Sequence, residues 1–147
     1  MSRPDILSRD RVAVEDGVLD PDQLLQRLGR LLADDDDDAA RIADALRQRE
    51  AMGSTAIGYG IALPHGRSEA SGAARAALLR LRQPVDLGAA DGVPVDIVLA
   101  LSVPAHFTQQ HLSLLAEIAE RLSDADLRAA LRDSEDPERL RALMTGD

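Results

Sequence analysis

The chain has 147 residues, enough for one domain with a sizeable core, and 45% of them are hydrophobic, which excludes a disordered chain. Its formal charge of -9, with 17 cationic residues that are all arginine and scattered, and with only Tyr59 and Phe107 aromatic, sets nucleic acid aside as a ligand. With no cysteine, disulfides, thiolate chemistry and cysteine-containing metal sites are excluded too, so any chemistry falls to histidine and carboxylate side chains.

The amino terminus, MSRPDILSRD, carries charges where a signal peptide needs an apolar stretch, and no run of about 18 apolar residues offers a membrane span. A cytoplasmic protein without membrane insertion is expected, folded as a single domain over residues 1–147. Val12 to Val14 is a short β-prone stretch. Asp20-Pro21 then reads as N-cap and first helical residue, with Gln23 placed to complete a capping box. Leu24, Leu28, Leu31 and Leu32, widened by Leu25, form the inward stripe of that helix. Asp34 to Asp38 lack the alternating ligands and glycine of a calcium loop and read as a solvated linker and N-cap. They lead into a helix with Ala39, Ile42, Ala43 and Leu46 on its apolar face and Arg49 near its end.

Gly53, Gly58, Gly60, Pro64 and Gly66 punctuate the next stretch, which leaves room only for short extended pieces between turns. Ala74 to Arg82 alternates, with Ala77, Leu79 and Leu81 on one face and Arg80 and Arg82 on the other, the pattern of a half-buried strand. Val95 to Val103 is nearly all apolar and predicts a central strand covered on both faces. Thr108 can cap a helix whose inward stripe is Leu112, Leu115, Ala119 and Leu122. Ser123 and then Asp136-Pro137 begin two further short helices, carrying Leu127 and Leu131, then Leu140 and Leu143. Strands interspersed with helices, without repeats, predict an α/β sandwich with a central mixed sheet flanked by helices on both faces.

Of the three histidines, His65 is the most constrained, because in IALPHG the ring of Pro64 and the small Gly66 fix how it is presented. A neutral imidazole whose N–H is engaged keeps a free nitrogen for attack on phosphorus, but a lone histidine serves equally well as a structural residue. Arg49, on the helix entering this loop, suits bidentate contact with phosphoryl oxygens, and equally suits surface pairing with Asp44 or Glu50. Ser54 and Thr55 offer hydroxyls to a phosphate or to their own turn. His111 stands in a helical first turn, where exposed N–H groups favour an anion and where a polar residue equally well does no more than fill the turn. His106 lies outside the i, i+4 spacing that would pair it with His111 as a metal ligand, so no metal is assigned. The glycines complete neither a GxGxxG fingerprint nor a P-loop.

The run REAMGSTAIGYGIALPHG, residues 49 to 66, resembles the active-site signature of the fructose/mannitol-type (type 2) enzyme IIA domains of the bacterial phosphotransferase system, and His111-Leu112 matches the family's helix that begins His-Leu. The resemblance spans nearly the whole chain. It implies that His65 is a phosphoryl acceptor served by HPr or an HPr-like carrier, with Arg49 and His111 at phosphate-contacting positions and no cofactor. Tyr59 stands where relatives more often have Asn, His or an acidic residue, and receives no role. GSTAIGYGIALPHGR and QQHLSLLAEIAERL are most similar to the nitrogen-type regulatory enzyme IIA, in which phosphorylation would switch binding to a regulatory target. A sugar-specific relay to a IIB domain is the alternative, and a metal- or protein-binding module a weaker one. For docking a partner protein, Met52, Ile57, Ala62 and Phe107 are candidates for an apolar rim, with ordinary core packing the competing explanation.

Overall fold

The computed structural model describes residues 6–69, 73–106 and 109–146. Its elements run β1 (Val12–Glu15), α1 (Pro21–Leu32), α2 (Asp36–Ala51), β2 (Ala56–Gly58), β3 (Ile61–Ala62), β4 (His65–Arg67), β5 (Arg75–Val85), β6 (Val95–Val103), α3 (Gln109–Leu122), α4 (Ala125–Asp133) and α5 (Pro137–Thr145). The strands form one mixed sheet in the order β1-β5-β6-β3-β2, with β4 also paired to β6. β5 and β6 are antiparallel, whereas β1 on β5, and β3 and β4 on β6, are parallel.

Strand alternation divides the sheet's side chains between two cores. Ala77, Leu79 and Leu81 of β5 and Val98 and Ala100 of β6 pack with Leu24, Leu28, Leu32, Ile42 and Leu46 of α1 and α2. Ala76 and Leu78 of β5 and Ile97, Leu99, Leu101 and Val103 of β6 pack with Leu114, Ile118, Leu122, Leu131, Leu140 and Met144 of α3, α4 and α5. Helices therefore cover both faces, and β6 is the central strand its apolar run predicts.

The capping box of α1 forms as expected: the Asp20 carboxylate accepts from the Gln23 N–H at 2.7 Å, and the Gln23 side chain accepts from the Asp20 N–H at 3.0 Å. Asp35 caps α2 through the Asp38 N–H, so Asp36 to Asp38 are not linker but the helix's first turn, where the macrodipole favours carboxylates. Gly29 lets α1 cross α2 closely: a Cβ there would lie 2.5 Å from the Ala39 carbonyl oxygen.

Four further expectations are corrected. β5 is covered on both faces rather than half-buried, because Ala76 and Leu78 fill the second face alongside Arg80, whose guanidinium reaches out to the Ser134 carbonyl at 3.0 Å. Leu112 is 50% exposed, and α3 instead turns Leu114, Ile118 and Leu122 inward. α4 is capped by Asp124, while Ser123 donates its hydroxyl back to the Glu120 carbonyl. Leu31 is only partly buried, on the flank of the α1 stripe. Thr108, the expected cap of α3, lies outside the described residues.

Candidate functional site

β3 and β4 lie end to end along one edge of β6: Ile61 and Ala62 stand beside Ile97 and Val98, then His65, Gly66 and Arg67 beside Leu101, Ser102 and Val103. Pro64 sits at the break between them. It has no N–H, though its carbonyl still accepts from the Leu101 N–H at 2.9 Å. The Leu63 N–H is donated to the Thr55 carbonyl at 3.1 Å, and the Leu63 carbonyl meets the His65 ring, with Nδ1 2.9 Å away. A carbonyl only accepts, so the hydrogen bond requires the proton on Nδ1 and leaves the lone pair on Nε2. This main-chain partner, two residues before the ring, has no sequence signature.

By alternation His65 and Arg67 stand on the α3–α5 side of the sheet, with Leu101 and Val103, while Gly66 turns toward α2. The fit at Gly66 is tight: a Cβ there would lie 2.9 Å from the Ala45 carbonyl carbon and 3.0 Å from its Cβ and oxygen. Arg49 is one helical turn beyond Ala45, so this contact governs where α2 holds Arg49 relative to β4. The Arg49 guanidinium donates to the Gly53 carbonyl at 2.8 Å. Neither surface pairing expected for it forms, because Asp44 is taken by Arg47 and Glu50 by Thr55.

Between the end of α2 and β4 lies an open groove of about 330 Å³, lined by Ala45, Gln48, Arg49, Met52, His65, Gly66 and Arg67. It brings together two of the expected residues, His65 and Arg49, and adds a second arginine, Arg67. No carboxylate is among its lining residues. The signal for Arg67 was its position two residues after His65 on an extended segment, which shares a strand face.

The other expected residues are placed as follows. Thr55 is buried, and both its hydroxyl and its N–H are donated to the Glu50 carboxylate, the N–H at 3.3 Å. Ser54 is exposed, and its hydroxyl oxygen accepts from the Ala56 N–H at 3.1 Å. Both thus serve the turn that leads from α2 to β2. His111 is half-buried in the first turn of α3, a helix that starts six residues after β6 ends beside Arg67. Met52 is 82% exposed at the groove and Ile57 is exposed on β2. Ala62 does not belong to any docking rim: it is fully buried, facing the α1–α2 core. Phe107 lies outside the described residues. Tyr59 sits at the opposite end of the sheet, in the left-handed region at φ 59°, with its N–H donated to Asp91, its carbonyl accepting from Arg132 and its ring under the Arg128 guanidinium. No helix among the described residues is long and apolar enough to cross a membrane.

Comparison with known proteins agrees with this fold. A nitrogen regulatory protein of Pseudomonas aeruginosa is 41% identical over 124 residues, covering 83% of this chain and 80% of that protein. A fructose-specific EIIA component of the phosphotransferase system from Haloferax volcanii is 31% identical over 110 residues, covering 75% of this chain and 70% of its own length. The crystal structure of the nitrogen regulatory protein IIA-Ntr from Neisseria meningitidis superposes with a TM-score of 0.87 at 34% identity, covering 95% of this chain and 97% of that one. Residues 5–146 match the family described as "Phosphoenolpyruvate-dependent sugar phosphotransferase system, EIIA 2", and the chain belongs to that family.

Proposed function

We propose that this enzyme IIA carries a phosphoryl group on Nε2 of His65, accepts it from the phosphohistidine of HPr or an HPr-like carrier, and acts as a cytoplasmic regulator of the nitrogen type. The observation that carries this reading is the Leu63 carbonyl on Nδ1, which aims a bare Nε2 from a strand edge beside Arg49. In the transfer, the Nε2 lone pair attacks phosphorus and the donor's N–P bond breaks, its electron pair returning to the donor ring. Nδ1 keeps its proton throughout, so the positive charge gained by the His65 ring is lost by the donor ring, and the Leu63 carbonyl dipole stabilises it. Phosphoryl transfer of this kind depends on positioning and on neutralising oxygen charge, the role assigned to Arg49 and, from the first turn of α3, to His111. Met52, exposed at the groove, and Ile57 are the apolar contacts offered to the docking protein.

The regulatory role is supported by the 41% identity to a nitrogen regulatory protein, against 31% to the fructose-specific component. That second relative supports the alternative, a sugar-specific relay to a IIB domain. Incubation with phosphoenolpyruvate, enzyme I and HPr of the same organism is expected to label the protein with acid-labile phosphate, and His65→Ala to abolish the label. A wild-type protein that a competent donor mixture never labels refutes the proposal. Stoichiometric passage of the label to a IIB domain would replace the regulatory reading with the relay.

A further inference from the structure

We infer that Glu50 is a positioning residue for His65: its carboxylate, acting through Thr55 and Leu63, fixes the carbonyl that keeps the ring's proton on Nδ1. The inference rests on the proposed phosphorylation of His65 and deepens it, since Nε2 is a nucleophile only while it is bare. A chain of hydrogen bonds links the two residues. The Glu50 carboxylate accepts from the Thr55 hydroxyl and from the Thr55 N–H, the latter at 3.3 Å to either oxygen. The Thr55 carbonyl accepts from the Leu63 N–H at 3.1 Å, and the Leu63 carbonyl accepts from His65 Nδ1 at 2.9 Å.

The links lie outside the regular ladder. β2 starts at Ala56 and β3 ends at Ala62, so Thr55 and Leu63 stand just beyond the paired strands, and the bond between them extends the pairing by one step. The break at Pro64 turns the Leu63 carbonyl to the ring, and Thr55 holds the residue that bears it. Thr55 and Leu63 are both buried, at 6% and 7% exposure, so water does not readily replace a lost partner. The acceptor at the far end is a carboxylate, whose charge-assisted bonds are stronger than those of a neutral turn residue. Glu50 also follows Arg49 in the last turn of α2, where neighbouring side chains leave the axis about 100° apart. That turn sends Arg49 to the groove and Glu50 to Thr55, so a single helix end bears on both the cation and the nucleophile of the proposed transfer.

The test reads the tautomer directly, from the nitrogen NMR shifts of the neutral His65 ring in unphosphorylated protein, and then the initial labelling rate in the donor mixture. In the wild type the proton should reside on Nδ1. Glu50→Ala should move the ratio of the Nδ1–H to the Nε2–H form toward Nε2–H by roughly threefold to tenfold, the weight of one net hydrogen bond, and labelling should slow at least in proportion to the Nδ1–H form that is lost. Glu50→Gln, which keeps an acceptor oxygen, should recover most of both. Thr55→Val removes the hydroxyl but keeps the N–H, and should shift both in the same direction by less. Asp44→Asn, on the same helix but paired with Arg47, should change neither. An unchanged tautomer in Glu50→Ala, or in Thr55→Val where Glu50→Ala does not fold, overturns the inference whatever the labelling rate does. If HPr never labels the wild type, the phosphoryl reading falls, while the tautomer comparison needs no phosphate and still decides the role of Glu50.

Discussion

Gly66→Ala tests the link between α2 and the His65 strand. The added Cβ would meet the Ala45 carbonyl carbon at 2.9 Å and its oxygen and Cβ at 3.0 Å, whereas carbon contacts relax at about 3.5–4.0 Å. β4 and α2 must therefore separate by about 0.6–1 Å, and overpacking of this kind costs about 1–3 kcal/mol. For a chain of this length that corresponds to a melting temperature lower by roughly 2–12 °C. The same displacement moves Arg49 away from His65, and a misplacement near 1 Å slows a positioned reaction by about tenfold to a hundredfold. Thermal melts and initial labelling rates in the donor mixture measure the two effects on one protein. Two of the three clashing atoms are backbone, so adding Ala45→Gly removes only one contact and should recover less than half of the lost rate. If Gly66→Ala melts and labels like the wild type, the contact does not hold the site and the reasoning fails.

Arg49→Ala should slow labelling by about tenfold to a hundredfold, below the loss seen on removing a buried oxyanion donor because the groove is open, while melting changes little; an unchanged rate would leave Arg49 only its bond to the Gly53 carbonyl. Gly29→Ala should destabilise by about 1–2 kcal/mol in denaturant melts, because the clash with the Ala39 oxygen at 2.5 Å outweighs the gain in helix propensity of about 1 kcal/mol; a more stable variant would show that the helices separate freely. Asp91 has its pKa held below the ordinary 3.8 by the N–H groups of Tyr59 and Val93, so its contribution to stability is present above that value and lost as pH falls through the depressed one. Asp91→Asn should accordingly flatten the fall in melting temperature below about pH 4, and an unaltered slope would remove Asp91 from the acid response.

Most of the helical frame was legible because capping and burial are local. The Asp20, Pro21 and Gln23 box and the leucines behind it specify α1 within a few residues, and the unbroken apolar run of β6 requires cover on both faces. The errors came where a neighbour far along the chain decides the environment. Ala76 and Leu78 look like interruptions of an amphipathic strand until α3, α4 and α5 cover them. Ala62 looks as available for docking as Met52, yet β3 lies under α1 and α2 while Met52 stands at the helix end. At the site, His65 and Arg49 were visible from the resemblance, but the groove that joins them depends on how Gly66 meets α2. The Leu63 carbonyl could not be read at all, since every residue has one and only the break at Pro64 turns this one to the ring.

The most direct test of the account is the position of the phosphoryl group on the ring. Nitrogen-phosphorus correlation NMR of the protein labelled by its donor mixture distinguishes the two nitrogens of His65. With Nδ1 protonated against the Leu63 carbonyl, phosphorus should couple to Nε2 alone, and the signal should be absent in His65→Ala. Phosphate on Nδ1, or on another residue, would contradict the geometry from which the function is argued.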